Sequence, residues 1–336
     1  MTQRAEAGVC DALVVVNRHA GAVTSALVDT VLDACAVRFA DVRQLESRAG
    51  ELAGQVEALV RDATPELVVS IGGDGTVRDV AEGMARGLER WASPVRPAVS
   101  DGDGEPSLLV VPAGSGNSAY SLLWGEVTWS ESLGRVLGGL AAVRRVDLIR
   151  VREADRVAVL GVNVGLVARV AQAVERVKAA GSGGESAEQR YWAAFGEVLQ
   201  DLRPFPVLVT IDGEPLHDGV ASLVTVGGVR SFGRGMFKLL PRSVVDDGVL
   251  DVCVVAADTP ERIAELAALV PSGGHVDQPD VHYGQGRRVT VERTDGQPLA
   301  VEHDGDPRDA ASSVTLEVLP GTVPFCASEG SATERG

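Results

Sequence analysis

Two short glycine-rich runs carry the residue types that phosphate chemistry needs. The first, Ile71-Gly72-Gly73-Asp74-Gly75-Thr76, follows an apolar stretch and precedes a helical one. Glycines at such a place permit positive φ and let main-chain N–H groups come close to phosphate oxygens. The helix that follows adds the positive field of its N-terminus. Asp74 is an acid in a loop that otherwise attracts anions, which fits contact with Mg²⁺ or with water ordered around a triphosphate. The same residues would also make a tight strand-to-helix turn capped by Asp74 or Thr76. The second run, Val111-Pro112-Ala113-Gly114-Ser115-Gly116-Asn117, again joins a strand-like stretch to a helical one. Ser115 and Asn117 offer a hydroxyl and an amide to phosphate or ribose, and taken alone read equally as a helix cap. Loops at the carboxyl ends of strands in one parallel sheet face each other across the crevice where open α/β sheets bind ligands. As a pair, they read as two walls of a nucleotide site.

The elements that must hold these loops show in the patterning. Ala12–Asn17, Asp41–Ser47, Glu66–Ile71 and Ser107–Val111 are strand candidates, and helices are predicted over Val23–Arg38, Glu51–Arg61 and Thr76–Leu88. Apolar strands alternating with amphipathic helices predict an α/β domain with a doubly wound, mostly parallel sheet. Trp91–Pro106, rich in Pro, Asp and Gly, is expected to be a surface loop. After Arg145 the rhythm changes. Strand-like runs crowd together at Val146–Val151, Val157–Val164, Val207–Asp212, Ala221–Val226, Val249–Val255, Arg288–Glu292 and Leu299–Glu302. Asp212-Gly213, Asp247-Gly248 and Asp304-Gly305 punctuate them, and helical patches interrupt at Val167–Ala180 and Glu188–Leu202. This pattern predicts a C-terminal antiparallel β-sandwich. Gly181–Ser186 and Pro271–Asp280 are expected to be mobile. The expected domains are residues 1–145 and 146–326, the last segment packing back on the first domain, with a flexible tail at 327–336.

Composition narrows the partners. The chain has 336 residues, 45% hydrophobic and 23% charged, with a net charge of −16. That length suits two domains and that composition suits a globular fold. The acidic balance argues against nucleic acid as a partner and against a polybasic membrane anchor. Any contact with lipid must use local apolar surface or a few cationic side chains. The four cysteines (Cys10, Cys35, Cys253, Cys326) have no metal-ligand spacing and read as buried thiols. The N-terminal apolar run lacks the basic flank of a signal peptide. No apolar stretch reaches the roughly 18 residues of a transmembrane helix. A cytoplasmic protein, peripheral at the membrane if its substrate is a lipid, is the expectation.

The ordered pair of loops resembles the catalytic domain of the diacylglycerol kinase, sphingosine kinase and bacterial lipid kinase superfamily. Later segments extend the resemblance. They are Asn163-Val164-Gly165-Leu166-Val167-Ala168, the helix bearing Tyr191-Trp192, Asp247-Gly248-Val249-Leu250-Asp251-Val252, and His303-Asp304-Gly305-Asp306-Pro307. The Gly72–Thr76 loop type also occurs in NAD kinases and, as a variant, in phosphofructokinases. Those fold relatives share the N-terminal architecture, but NAD kinases lack the last two motifs.

The resemblance implies an ATP- and Mg²⁺-dependent kinase of lipid metabolism and phospholipid biosynthesis, phosphorylating a diacylglycerol or sphingoid-base hydroxyl. Gly72, Gly73, Asp74, Gly75, Thr76, Gly114, Ser115, Asn117 and Asn17 would form the ATP site, Ser115 standing where the family usually has Thr. Asp247, with the carbonyls of Val244 and Val249, would hold Mg²⁺, and an all-oxygen set suits that ion. Asp247-Gly248 would otherwise be an ordinary turn before a strand. Asp306 stands where the family has a Glu taken as the general base, and is one methylene shorter. Asp304 could share that role, while Glu302 would alternate onto the same side of a strand. A surface hairpin turn is the plainer reading of these residues. Asp74 would organise metal and phosphates. ATP·Mg²⁺ is expected to bind the N-terminal domain, with the acceptor entering from the C-terminal domain. Partners implied are a lipid substrate and a transient membrane surface, with no nucleic acid; a homodimer is left open. Two rivals remain: a kinase for a soluble acceptor such as NAD or a polyol, and a non-catalytic nucleotide- or lipid-binding regulator. The soluble-acceptor reading predicts no apolar tunnel in the C-terminal domain.

Overall fold

The structure, a computed structural model, describes residues 10–48, 50–90, 104–179, 186–232, 235, 237–310 and 312–329. The chain divides into two units, Met1–Leu148 with Leu319–Gly336, and Ile149–Val318.

The first unit is an α/β layer. In chain order it runs β1 (Ala12–Val16), α1 (Ser25–Arg38), β2 (Val42–Glu46), α2 (Leu52–Ala63), β3 (Leu67–Gly72), α3 (Asp74–Gly87), β4 (Ser107–Pro112), α4 (Ser118–Trp124) and α5 (Trp129–Leu137). The strands lie in the order β2-β1-β3-β4, all parallel. β1 and β3 are buried along their whole length, as strands covered on both faces must be. The register pairs Val16 with Ile71 and Ile71 with Val111. The carboxyl ends of three strands are therefore level, and the chain segments that leave them share one edge of the sheet. β5 (Ala142–Val151) carries the chain into the second unit, and the end of a long last strand, β16 (Ser313–Ala327), brings it back beside β4.

The second unit is antiparallel. It continues with β6 (Arg156–Ala158), β7 (Gly161–Gly165), α6 (Leu166–Ala179), α7 (Ala187–Gln200), β8 (Phe205–Ile211), β9 (Glu214–Ala221), β10 (Leu223–Gly227), β11 (Leu250–Val255), α8 (Pro260–Leu269), β12 (Val281–Gly286), β13 (Arg288–Arg293), β14 (Leu299–His303) and β15 (Asp306–Ala310). One sheet runs β12-β11-β10-β7-β14-β15, and β16, β13, β8 and β9 form the other. Alternation along the strands splits the first sheet's side chains between two cores. Val162, Val164, Val224, Val226, Val252, Val254 and Val301 pack against Val207, Val209, Val289 and Val291 of the other sheet. Leu223, Cys253 and Val255 face a second core made with Leu166, Val170, Ala194 and Ile263 from the helices. The parallel α/β domain and the antiparallel C-terminal domain are as expected from the sequence.

Several elements differ from expectation. α3 starts at Asp74, two residues early, because the Gly73 carbonyl already accepts from Thr76 and Val77 N–H (2.9 and 3.1 Å). The run Val157–Val164 is two strands, β6 and β7. Pro271–Asp280 contributes to 3-10 turns that bury His275 and Val276. Residues 91–103 of the Trp91–Pro106 loop, residues 181–185 and the tail beyond 329 lie outside the described residues. Ser186 caps α7, exchanging hydrogen bonds with Gln189 (3.1 and 2.8 Å). The four cysteines are buried and free.

Candidate functional site

In the first unit the two glycine loops leave adjacent strands, level at Gly72 and Pro112. Ala113 N–H donates to the Gly72 carbonyl (2.8 Å), so the loops begin hydrogen-bonded to each other. A Cβ on Gly114 would lie 2.5 Å from the Gly73 Cα, so glycine at 114 is a requirement of that close approach. Asp74 then reaches to the second loop. Its carboxylate accepts from the N–H groups of Ser118 (3.1 Å) and Ala119 (3.0 Å) in the first turn of α4. An acid there fills orphan donors and answers the positive helix end. Asn117 adopts a left-handed φ of 51°, and its side chain closes the second loop through Gly114 N–H (2.8 Å) and the Gly114 carbonyl (2.9 Å).

Asn17, after β1, donates to Thr76 Oγ1 (2.9 Å) and accepts from His19 N–H (3.0 Å). Asn17, Thr76, Asp74 and Asn117 thus shape the loops, while Ser115 stands exposed at the tip of the second one. Arg18 pairs with Glu46 at the end of β2 (3.0 Å). The arrangement is a rigid edge of tight backbone, set before the N-terminus of α3, of the kind that receives phosphate.

In the second unit, Asp304-Gly305 forms the two-residue turn between β14 and β15, with φ of 53° and 82°. Two consecutive positive φ values are the primed-turn geometry that suits hairpins and the Asp-Gly pair. The reading of these residues as a hairpin is therefore the correct one for the backbone, and Asp304 does not continue a strand from Glu302. The Asp304 carboxylate accepts from the N–H groups of Val159 (2.8 Å), Leu160 (2.8 Å) and Gly161 (3.2 Å), fastening the hairpin to the β6–β7 corner. Asp306 faces His303 across the hairpin and pairs with Arg308 (2.7 Å) at a partly exposed position.

Glu302 differs from both. It is 4% exposed, in β14, held by the Asn163 amide and by Gly305 N–H (2.7 Å). Burial pushes its carboxyl up to about 7 against those two hydrogen bonds, and the negative charges of Asp304 and Asp306 push the same way. Beside it, an apolar pocket opens on the helix-covered face of the sheet. Its walls include Leu166, Tyr191, Trp192, Phe195, Phe237 and Leu266. The rings of Tyr191, Trp192 and Phe237 pack together, with centroids 4.7 to 6.0 Å apart.

Among the described residues no cluster of three or more His, Cys, Asp or Glu side chains could hold a metal. The expected set, however, needs one carboxylate and two carbonyls. Asp247 Oδ1 accepts from Val249 N–H (3.1 Å), which shapes the turn, and burial raises its carboxyl. Next to it Asp251 is 0% exposed; Oδ1 accepts from Tyr283 (2.6 Å) and Gln285 (3.0 Å), and the Ser243 hydroxyl also bears on its carboxylate. One carboxylate and the main-chain carbonyls of the same turn are hard oxygen donors of the kind that suit Mg²⁺. Asp251 and Glu302 lie in segments the sequence already marks, but only the structure shows that both are buried.

A parallel α/β unit followed by an antiparallel unit is the fold class that NAD kinase-like proteins share. Residues 11–151 match the model of the diacylglycerol kinase catalytic domain, and residues 161–327 that of the YegS C-terminal NAD kinase beta sandwich-like domain. The diacylglycerol kinase of Bacillus subtilis (strain 168) is 26% identical over 247 residues, 73% of each chain. A "Probable lipid kinase YegS-like" of Stenotrophomonas maltophilia (strain K279a) is 26% identical over 295 residues, 83% of this chain and 85% of that one. A crystal structure of a diacylglycerol kinase from Bacillus anthracis str. Sterne shares the fold, with a TM-score of 0.65 at 18% identity, covering 96% of this chain and 98% of that one. The chain belongs to the diacylglycerol kinase and bacterial lipid kinase family, and it is an enzyme of that class, a kinase. Among the described residues no helix is long and apolar enough to cross a membrane.

Proposed function

We propose that this kinase transfers the γ-phosphoryl group of ATP to the hydroxyl of a lipid of the diacylglycerol or sphingoid-base class. The observation that carries the lipid assignment is the pocket of the second unit. A site lined by Leu166, Phe195, Phe237 and Leu266 takes a hydrocarbon chain and has little to offer a dinucleotide or a polyol.

The phosphates of ATP would lie on the main chain of Gly72–Thr76, with the Ser115 hydroxyl beside them. Asp74 keeps the two loops in register through α4, so its part is positional as well as electrostatic. Asp247 with the carbonyls of Val244 and Val249 would hold Mg²⁺, which supplies charge neutralisation for phosphoryl transfer. Asp306 would accept the proton of the acceptor hydroxyl. Such transfer relies on positioning and charge more than on a strong base, so an Asp can serve if the hydroxyl comes within hydrogen-bond reach.

Transfer from labelled ATP into a panel of diacylglycerol, sphingoid base, NAD and polyols tests this reading. Label is expected in a lipid, with loss on Asp74→Ala and Asp306→Ala. Label in NAD or a polyol alone would overturn the lipid assignment, and undiminished transfer by both variants would overturn the site.

A further inference from the structure

One wall of the apolar pocket ends in a polar strip whose hydrogen-bond direction is set by a charge. Thr225 lines the pocket from β10. Opposite it in register stands Asn163 on β7, and opposite Asn163 stands Glu302 on β14. Residues paired in this way share a face, here the face covered by α6, α7 and α8. Thr225 Oγ1 donates to Asn163 Oδ1 (2.7 Å), the Asn163 amide nitrogen donates to Glu302 Oε1, and Gly305 N–H donates to Glu302 Oε2 (2.7 Å). All three side chains are buried.

The order of these bonds follows from what each group can do. An ionised carboxylate only accepts, so it turns the Asn163 NH₂ toward itself and leaves the amide oxygen facing Thr225. Thr225 then commits its single proton to that oxygen and offers the pocket lone pairs alone. If Glu302 is protonated, the strip can run the other way. The carboxyl O–H then donates to the Asn163 oxygen, the amide donates to Thr225, and the hydroxyl proton becomes free for the pocket.

Resting on the reading of this pocket as the acceptor site, we propose that Thr225, oriented by Asn163 and Glu302, selects the polar end of the bound amphiphile. It accepts a hydrogen bond from a hydroxyl or ammonium group and disfavours an end that can only accept, such as an ether. Glu302 acts here as a positioning residue, through Asn163 and Thr225. The groups that bear on its charge are few. Asp304 and Asp306 belong to its own hairpin, where Arg308 is already paired with Asp306, and α7 contributes Tyr191. α6, also packed on β14, engages its titratable side chains elsewhere: Arg169 with Asp201, Arg176 with Glu197, Lys178 with Glu175.

The test is equilibrium binding of 1-decanol and of its methyl ether to the full chain, followed by tryptophan fluorescence. At pH 8 the wild type is expected to prefer the alcohol by about tenfold, the effect of one hydrogen bond made or missed. Thr225→Val, which keeps the shape and removes the hydroxyl, should lose the preference while retaining ether affinity. Glu302→Gln should shrink it several-fold, since an amide can satisfy Asn163 in either orientation. Lowering the pH of the wild type through 7 should do the same, a change that a purely structural Glu302 would not produce. Equal affinity for both probes in the wild type, or an undiminished preference in Thr225→Val, would overturn the inference while leaving the pocket reading intact. Binding of neither probe would overturn both.

Discussion

Asp74 in the first unit and Glu302 in the second are both carboxylates with both oxygens hydrogen-bonded, yet their surroundings give them opposite characters. Asp74 is partly exposed and sits on the main-chain amides that open α4, where the helix field favours negative charge. It is a joint between two loops. Glu302 lies inside a sheet, with one side-chain amide, one main-chain N–H and two acids nearby. Burial dominates there, and the group is poised near neutrality. The neighbouring acids of the hairpin fill out the range: Asp304 is spent on three N–H groups, and Asp306 on an exposed ion pair. One functional group therefore serves as joint, clamp, surface charge or titratable switch according to what surrounds it.

Substitutions at these four positions should separate the characters, the largest effect on stability first. Burial raises Glu302 from its ordinary 4.5 to about 7, so the folded chain holds this proton more tightly than the unfolded one. Stability from this group is fully present below pH 4.5 and is lost as pH rises to 7. The loss comes to about 3 kcal/mol at most, by the linkage of proton binding to folding. Glu302→Gln should therefore gain stability relative to wild type between pH 5 and pH 8, as read by denaturant unfolding at both values; a constant difference would contradict the buried, titrating acid. Asp304→Ala removes the acceptor of three N–H groups and places Ala at positive φ, and should lower stability by about 2 kcal/mol with little pH dependence in that range.

Asp74→Ala should lower stability by only about 1 kcal/mol, the usual effect of a lost helix cap. Its transfer activity should nevertheless fall about a hundredfold, because displacing a positioning element by an ångström has that consequence. Asp306→Ala should move stability by less than about 0.5 kcal/mol, as exposed ion pairs do. A loss of transfer in that variant would thus report chemistry and not folding, and Asp306→Glu, which restores the longer acid, should retain or raise activity. If Asp74→Ala instead left transfer activity intact, the contrast between joint and switch would collapse.

Much of the first unit was legible because its signals are local. Apolar strands, amphipathic helices and glycines after a strand are neighbours in the chain, and they placed Gly72–Thr76 and Pro112–Asn117 at adjacent strand ends. The Asp304-Gly305 hairpin was legible for the same reason. The second unit was less so. β9 is a polar strand with several exposed residues at the margin of its sheet, and nothing in Glu214–Ala221 alternates clearly. The split between β6 and β7 is invisible within the apolar run Val157–Val164. The exception in the first unit is α5, a short helix, and helices of that length depend on packing more than on propensity.

What the sequence by itself determined was the chemistry on offer: two phosphate-type loops, a family pattern, and a cluster of acids at residues 302–306. Which acid is buried, which is clamped and which meets solvent was decided only by tertiary structure. A carboxylate's character depends on the dielectric and the donors around it. For Glu302 those come from Asn163, one strand over and far back in the chain, and from the helices that cover Thr225. Strand register placed them side by side, and register is a property of the assembled sheet.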